Sequence, residues 1–147
     1  MSRVTNLLTI LFLAYCVDYA LSCSCSRTSL EESFCNKYPK HFIYRGKATN
    51  KKLVDDIPPS LWKGKAIYDV LVLEVFKKPE GSDVSAGSVI QLTTSASGSL
   101  CGSFLRLETE TLITGNGNHF GLCDFKATYS SLTESEIQGL NGGYICN

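Results

Sequence analysis

The residues most suited to chemistry in this sequence are two cysteines that flank one serine, Cys23-Ser24-Cys25. They directly follow a predicted secretory signal peptide over residues 1–22, which has a basic residue near its start, an apolar centre over 7–17 and small residues before the cut. We expect cleavage after residue 22. The mature chain would then begin with a free α-amine on Cys23.

A free amine on Cys23 has a specific metal chemistry. Its reference pKa is about 7.7–8.0, so a sizeable fraction is neutral near physiological pH. A neutral amine and the carbonyl oxygen of the same residue can chelate one metal ion in a five-membered ring. Catalytic zinc keeps one position open for water. A rigid N-terminal cysteine can displace that water and block the enzyme.

The other cysteines indicate how Cys23 would be held rigid. The chain has seven cysteines, and Cys16 leaves with the signal peptide. Six remain, namely Cys23, Cys25, Cys35, Cys101, Cys123 and Cys146. An even number in an oxidising compartment predicts three disulfides, but spacing alone does not choose among the pairings.

Length and composition narrow the class of protein. A chain of 147 residues suits one domain, and 44% hydrophobic residues are too many for a disordered chain. A formal net charge of +0 gives the protein no net electrostatic attraction to nucleic acid or to an anionic membrane. After the signal peptide no stretch approaches the length of a membrane span, so we expect no membrane anchor.

Two enzyme-like or metal-site readings of the cysteines are disfavoured. The sequence has no Cys-x-x-Cys pair and only two histidines, His41 and His119, which counts against a structural zinc site. A Cys-His protease needs a free thiol, and six paired cysteines leave none.

Short helices are predicted at both ends of the mature chain. The first begins at a capping box, formed by Thr28 and Glu31 or by Ser29 and Glu32, and ends before Pro39. A second capping box over 131–134 begins the C-terminal helix.

The strands predicted between these helices make a small barrel. Apolar and β-branched runs predict strands at 42–48, 66–76, 88–94, 111–114 and 120–123, the last two joined by a turn. Residues 49–65 are predicted as a loop. We therefore expect an all-β fold with flanking helices, a five-stranded, partly open barrel similar to the OB-fold, with three disulfides.

From Cys23 to Cys146 the sequence resembles the N-terminal inhibitory domain of the tissue inhibitors of metalloproteinases, within the netrin-like modules. The resemblance rests on the Cys-x-Cys start, Phe34-Cys35-Asn36, Cys101-Gly102-Ser103-Phe104, Leu112-Ile113-Thr114-Gly115, Cys123, Ser131-Leu132, Gln138-Gly139, Tyr144 and Cys146. It implies one netrin-like domain over 23–147. It also implies the disulfide pairs Cys23–Cys101, Cys25–Cys123 and Cys35–Cys146.

The resemblance further implies a set of protease-binding residues. The amine and carbonyl of Cys23 would bind the catalytic zinc of a target, and Ser24 would enter the enzyme's primary specificity pocket. Cys25 and Ser26 would continue along the primed side of the cleft. The segment Gly98-Ser99-Leu100-Cys101 would lie on the unprimed side.

The predicted function is that of a secreted inhibitor of zinc metalloproteinases, acting as a monomer in a 1:1 complex in the extracellular space or matrix. It would not be an enzyme and would bind no nucleic acid. It would hold no cofactor of its own, and the metal that it contacts would be the zinc of the target enzyme. The alternative is a netrin-like binding module for a matrix protein, growth factor or receptor, without protease inhibition.

Overall fold

Five strands form the framework of the protein in a computed structural model that describes residues 23, 25–26, 28–55 and 64–146. The strands are β1 (His41–Asp55), β2 (Gly64–Lys77), β3 (Val89–Ser95), β4 (Glu110–Asn116) and β5 (Lys126–Thr128). They pair antiparallel in the order β3-β2-β1-β4-β5. The predicted all-β fold with flanking helices and three disulfides is confirmed.

Strand β1 is the centre of the sheet, because its first half pairs with both β2 and β4. Three register shifts against β2 interrupt it, and such bulges bend a strand and increase its twist. Gly46 lies at one of them. A Cβ there would stand 2.7 Å from Val70 Cγ1 and 3.1 Å from the Leu71 carbonyl oxygen, so glycine permits the close approach of β1 to β2.

The sheet is not closed into a full barrel. In place of a fifth strand pair that would close it, the backbone beyond β4 forms hydrogen bonds with β3. Thr93 N donates to the Asn118 carbonyl at 2.7 Å, and Phe120 N donates to the Thr93 carbonyl at 3.0 Å. Two hydrogen bonds thus link the end of β4 to the edge strand β3.

The predicted N-terminal capping box is confirmed, whereas the predicted box over 131–134 is wrong, because the C-terminal helix is capped two residues later. Helix α1 (Leu30–Cys35) is capped by Ser29 and Glu32, and Lys77 donates from the sheet to the carbonyls of Phe34 and Asn36 at its other end. Helix α2 (Glu134–Gln138) is capped by Thr133 and Glu136, not within 131–134, and continues into a wider turn over Gly139–Gly143. None of the helices in the described ranges is long and apolar enough to span a membrane.

Two apolar clusters lie on the faces of the sheet. The larger is built mainly from β1, β2 and the residues after β3 and β4, namely Phe42, Tyr44, Ala48, Ala66, Tyr68, Val70, Val72, Leu92, Leu105, Ile113 and Phe120. The smaller packs both helices against β1 and β4 through Leu30, Ile43, Leu112 and Leu140.

Two predictions were wrong, one of a loop at 49–55 and one of a strand at 120–123. Residues 49–55, predicted as loop, continue β1 and pair with the start of β2 as a two-stranded ribbon, while 56–63 lie outside the described residues. The turn after β4 is present, since Asn116 and His119 exchange backbone hydrogen bonds. The chain at 120–123 is not a strand, however, and the partner of β4 is β5.

His41 is a titratable group buried beneath this framework. It is 4% exposed, and its Nε2 has no hydrogen-bond partner among the described residues. Burial, and next the positive charge of Lys77, lower its pKa. Asp124 and the backbone carbonyls of Ser33 and Gly115 act in the opposite direction.

We expect the free energy of unfolding to fall as the pH drops below about 6.5, because the unfolded histidine takes up a proton that folded His41 resists. Urea unfolding between about pH 7.5 and 5 measures this. The effect should vanish in His41→Gln and persist in His119→Gln, which changes an exposed histidine. An unchanged pH slope in His41→Gln would contradict the assignment.

Candidate functional site

Three disulfides tie the start of the described chain to its late loops. They join Cys23 to Cys101, Cys25 to Cys123 and Cys35 to Cys146, with Cα–Cα distances of 5.4, 5.6 and 5.2 Å. These are the pairs that the family resemblance implies. The first two hold residues 23–26 against two separate loops, and the third anchors α1 to the C-terminal end.

The first loop is a tight turn after β3. Residues Gly98–Leu100 form a single 3-10 turn, and Cys101 follows in the left-handed region at φ 60 and ψ 23. That conformation costs a non-glycine residue roughly 1 kcal/mol. It is held by a hydrogen bond from Cys101 N to the Gly98 carbonyl at 3.1 Å and by the disulfide to Cys23.

Gly102 lets the turn pack closely against the backbone at its start, at Ser95 and Ser97. A Cβ on Gly102 would stand 2.2 Å from the Ser95 carbonyl oxygen and 2.6 Å from that of Ser97. Both atoms are backbone and cannot swing away. Directly beyond, Ser103 N donates to the buried hydroxyl of Thr94 at 2.9 Å, which fixes where the turn rejoins the sheet.

The second loop, residues 121–124, is joined to the first by backbone. Leu122 N donates to the Cys101 carbonyl at 2.9 Å, so both disulfide-bearing loops meet at one hydrogen bond. Gly121 N donates to Asp124 Oδ2 at 2.7 Å inside the loop. The Thr28 hydroxyl donates to the Cys123 carbonyl at 3.0 Å and ties the N-terminal segment down a second time.

We call the joined surface of residues 23, 25–26, 28, 98–101 and 121–124 the N-terminal ridge. Cys25, Ser26, Gly98 and Cys101 are exposed on it, whereas Cys23 and Leu100 are half-buried. Ser99 lies in the 3-10 turn, and Ser24 lies outside the described residues. The structure therefore brings the two predicted segments together.

Sequence analysis missed three residues of this region. Thr28 was considered only as a helix cap, although its hydroxyl serves the ridge, and Leu122, 41% exposed, had no signal beyond its place beside Cys123. Gly102 was noted only as part of a motif. Each role depends on a contact with residues that lie outside the local sequence pattern around it.

The side chains of the ridge are poor metal ligands by themselves. Its cysteines are all in disulfides, which leaves no thiolate. Among the described residues no group of three His, Cys, Asp or Glu side chains could hold a metal ion.

A cavity of about 280 Å³ opens beside the ridge, lined by Thr28, Ser103, Leu122, Asp124, Phe125 and Lys126. The Lys126 ammonium donates to Ser103 Oγ at 2.9 Å and to the Phe104 carbonyl. Partial burial lowers the pKa of Lys126. The lysine thus braces the segment that leaves the first loop.

Comparison with known proteins agrees with this architecture of a sheet held by long-range disulfides. The profile of the family described as "Tissue inhibitor of metalloproteinase" matches residues 21–147. The chain belongs to that family.

Individual relatives carry the name metalloproteinase inhibitor 2. The chain is 33% identical to the protein of Oryctolagus cuniculus over 132 residues, which are 83% of this chain and 63% of that protein. It is 32% identical to that of Bos taurus, covering 92% and 61%, and 31% identical to that of Homo sapiens, covering 93% and 62%. The chain spans about three fifths of the length of these relatives.

We expect Gly102→Ala to lower the free energy of unfolding by about 1–3 kcal/mol, because the added methyl group collides with backbone that cannot yield. Gly98→Ala is the matched control, since a Cβ at Gly98 meets nothing within 4 Å. It should stay within about 0.5 kcal/mol of the parent. Urea unfolding with the disulfides intact measures both, and equal stabilities would refute the close approach.

Proposed function

We propose that this protein is a secreted inhibitor of zinc metalloproteinases that blocks the target through its N-terminal ridge. It acts as a monomer in a 1:1 complex and is not an enzyme. Family membership supports the activity, and the curated relatives are themselves named metalloproteinase inhibitors. The mature chain begins at Cys23, after removal of the signal peptide over 1–22.

The observation that carries this proposal is the double tether of residues 23–26. Two disulfides and the Thr28 hydroxyl fasten this segment to two loops, and those loops are hydrogen-bonded to each other. A segment held at so many points loses little conformational entropy when it binds, so more of the contact energy remains as affinity. A segment that inserts into an enzyme cleft needs this rigidity.

The chemistry we propose lies at Cys23. Its neutral amine and its carbonyl oxygen bind the catalytic zinc of the target and displace the water that the enzyme would use as nucleophile. The disulfide to Cys101 keeps both donor atoms in place. No thiolate takes part, since the sulfur of Cys23 is bonded to that of Cys101.

The neighbouring residues then fill the cleft on either side of the zinc. We propose that Ser24 enters the primary specificity pocket and that Cys25 and Ser26 follow the primed side. The Gly98–Leu100 turn and Cys101 lie on the unprimed side. Ser24 is short and polar and leaves a deep apolar pocket partly unfilled, so we expect broad selectivity.

One alanine added before Cys23 should abolish most of the inhibition. The extension turns the amine into an amide, which is a poor zinc ligand, and inserts a residue where the zinc must sit. We expect the inhibition constant to rise by about 100-fold or more, at 1.4 kcal/mol for each factor of about ten. The assay is inhibition of a panel of zinc metalloproteinase catalytic domains by the refolded chain.

The matched control carries the extra alanine after Asn147, far from the ridge in sequence, and should inhibit like the parent. Equal inhibition by parent and N-terminal extension would overturn chelation by Cys23. If neither inhibits any enzyme of the panel while mass mapping shows the three disulfides, the protein is instead a netrin-like binding module.

A further inference from the structure

A second cavity shares Lys126 with the cavity beside the ridge. Its volume is about 340 Å³, at the lower end of the range for small-ligand sites. It is lined by Phe104, Leu105, Arg106, Thr109, Thr111, Lys126, Ala127 and Thr128. The proposed inhibition uses none of these residues.

Two basic residues, Lys126 and Arg106, line this cavity. The stem of Lys126 is exposed, yet its ammonium is turned inward by the hydrogen bonds to Ser103 and to the Phe104 carbonyl. These use two of its three donors, which leaves one. Arg106 is exposed, and neither it nor Lys126 forms an ion pair with a described residue.

Among the acidic residues nearest in sequence, Asp124 lines the cavity beside the ridge and accepts a hydrogen bond from Gly121 N, and two glutamates pair with basic residues that do not line the second cavity. Glu110 pairs with Arg45 at 2.6 Å, and Glu108 lies 3.8 Å from Lys47. No described Asp or Glu lines the cavity. The described side chains that line this cavity therefore include two positive charges and no negative charge.

Further groups at the cavity favour an anion. The Thr128 hydroxyl has no hydrogen-bond partner among the described residues and can donate to a ligand. The Lys51 ammonium lies 5.1 Å from the ring centroid of Phe104, which places a third cation next to the cavity wall. Arg106 offers a planar fork of donors that matches oxyanions.

We propose that this cavity is an oxyanion site, which binds a sulfate or phosphate group between Lys126 and Arg106 with Thr128 as a further donor. Lys126 is fixed in place by its two hydrogen bonds, whereas Arg106 closes on the ligand from the exposed side. This site is independent of the proposed inhibition and would exist in either functional class.

The test is an NMR titration of the mature chain with sodium sulfate and, separately, sodium phosphate, with sodium chloride at matched ionic strength as the reference. We expect saturable shifts of backbone amides at 104–109 and 126–128 that chloride does not produce. Comparing the two anions near pH 5.5 and 7.5 separates sulfate from phosphate binding, because inorganic phosphate takes up a proton and loses charge between these pH values, whereas sulfate keeps its charge.

Arg106→Gln is the decisive variant, because the Arg106 side chain makes no hydrogen bond or ion pair that the fold needs among the described residues. We expect this substitution to raise the dissociation constant for sulfate about tenfold, which is the usual effect of losing one charge-assisted contact. Lys126→Met should raise it at least as much.

Lys52→Met, on the exposed ribbon, is the matched control and should bind like the parent. Shifts that do not saturate, that chloride reproduces, or that persist unchanged in Arg106→Gln would overturn the site.

Discussion

The rest of the structure depends on three covalent links between the start of the described chain, at Cys23, Cys25 and Cys35, and segments much later in the sequence. They span 78, 98 and 111 residues, and links over such distances remove much of the conformational freedom of the unfolded chain. On the chain-entropy account each can contribute about 4–5 kcal/mol. Two of the links also define the ridge, because they fasten Cys23 and Cys25 to two loops that the Leu122–Cys101 hydrogen bond joins to each other. The same disulfides therefore stabilise the fold and shape the ridge.

The sheet supplies the fixed base on which those links act. Strand β1 pairs with both neighbours over its first half, and its bulges with Gly46 allow it to bend. The first loop leaves β3 and is held back against it by Gly102 and by the Ser103–Thr94 hydrogen bond. The second loop lies between β4 and β5. Rigid strands therefore precede both loops, and their positions relative to each other follow from the sheet order.

The sequence predicted the parts that local patterns encode. The Ser29–Glu32 capping box, the long apolar run of β2 and the set of six cysteines all appear as expected. The extension of β1 over 49–55 was missed because those residues are largely polar and exposed, so they show no core-facing alternation. Strand β5 was missed because three residues are too short for a periodic signal. Residues 120–123 are predicted as a strand because they follow the turn after β4, yet Phe120 is buried on irregular backbone, which an apolar residue after a turn does not reveal.

The ridge was predictable only in part, for the same physical reason. Cys23 and the 98–101 segment could be singled out from their own residue types and from a family resemblance. Thr28 and Leu122 could not, since their contacts lie 95 and 21 residues away along the chain and exist only once the sheet has formed. Lys126 is similar, because its hydrogen bonds to residues 103 and 104 join two segments that no local pattern relates.

A crystal structure of the mature chain bound to a zinc metalloproteinase catalytic domain tests the central claim most directly. The account predicts that the amine nitrogen and carbonyl oxygen of Cys23 both lie about 2.0–2.2 Å from the catalytic zinc in place of its water. Residues 98–101 and 121–124 should flank that contact. A zinc that keeps its water, with the enzyme seated on another face of the sheet, would contradict it.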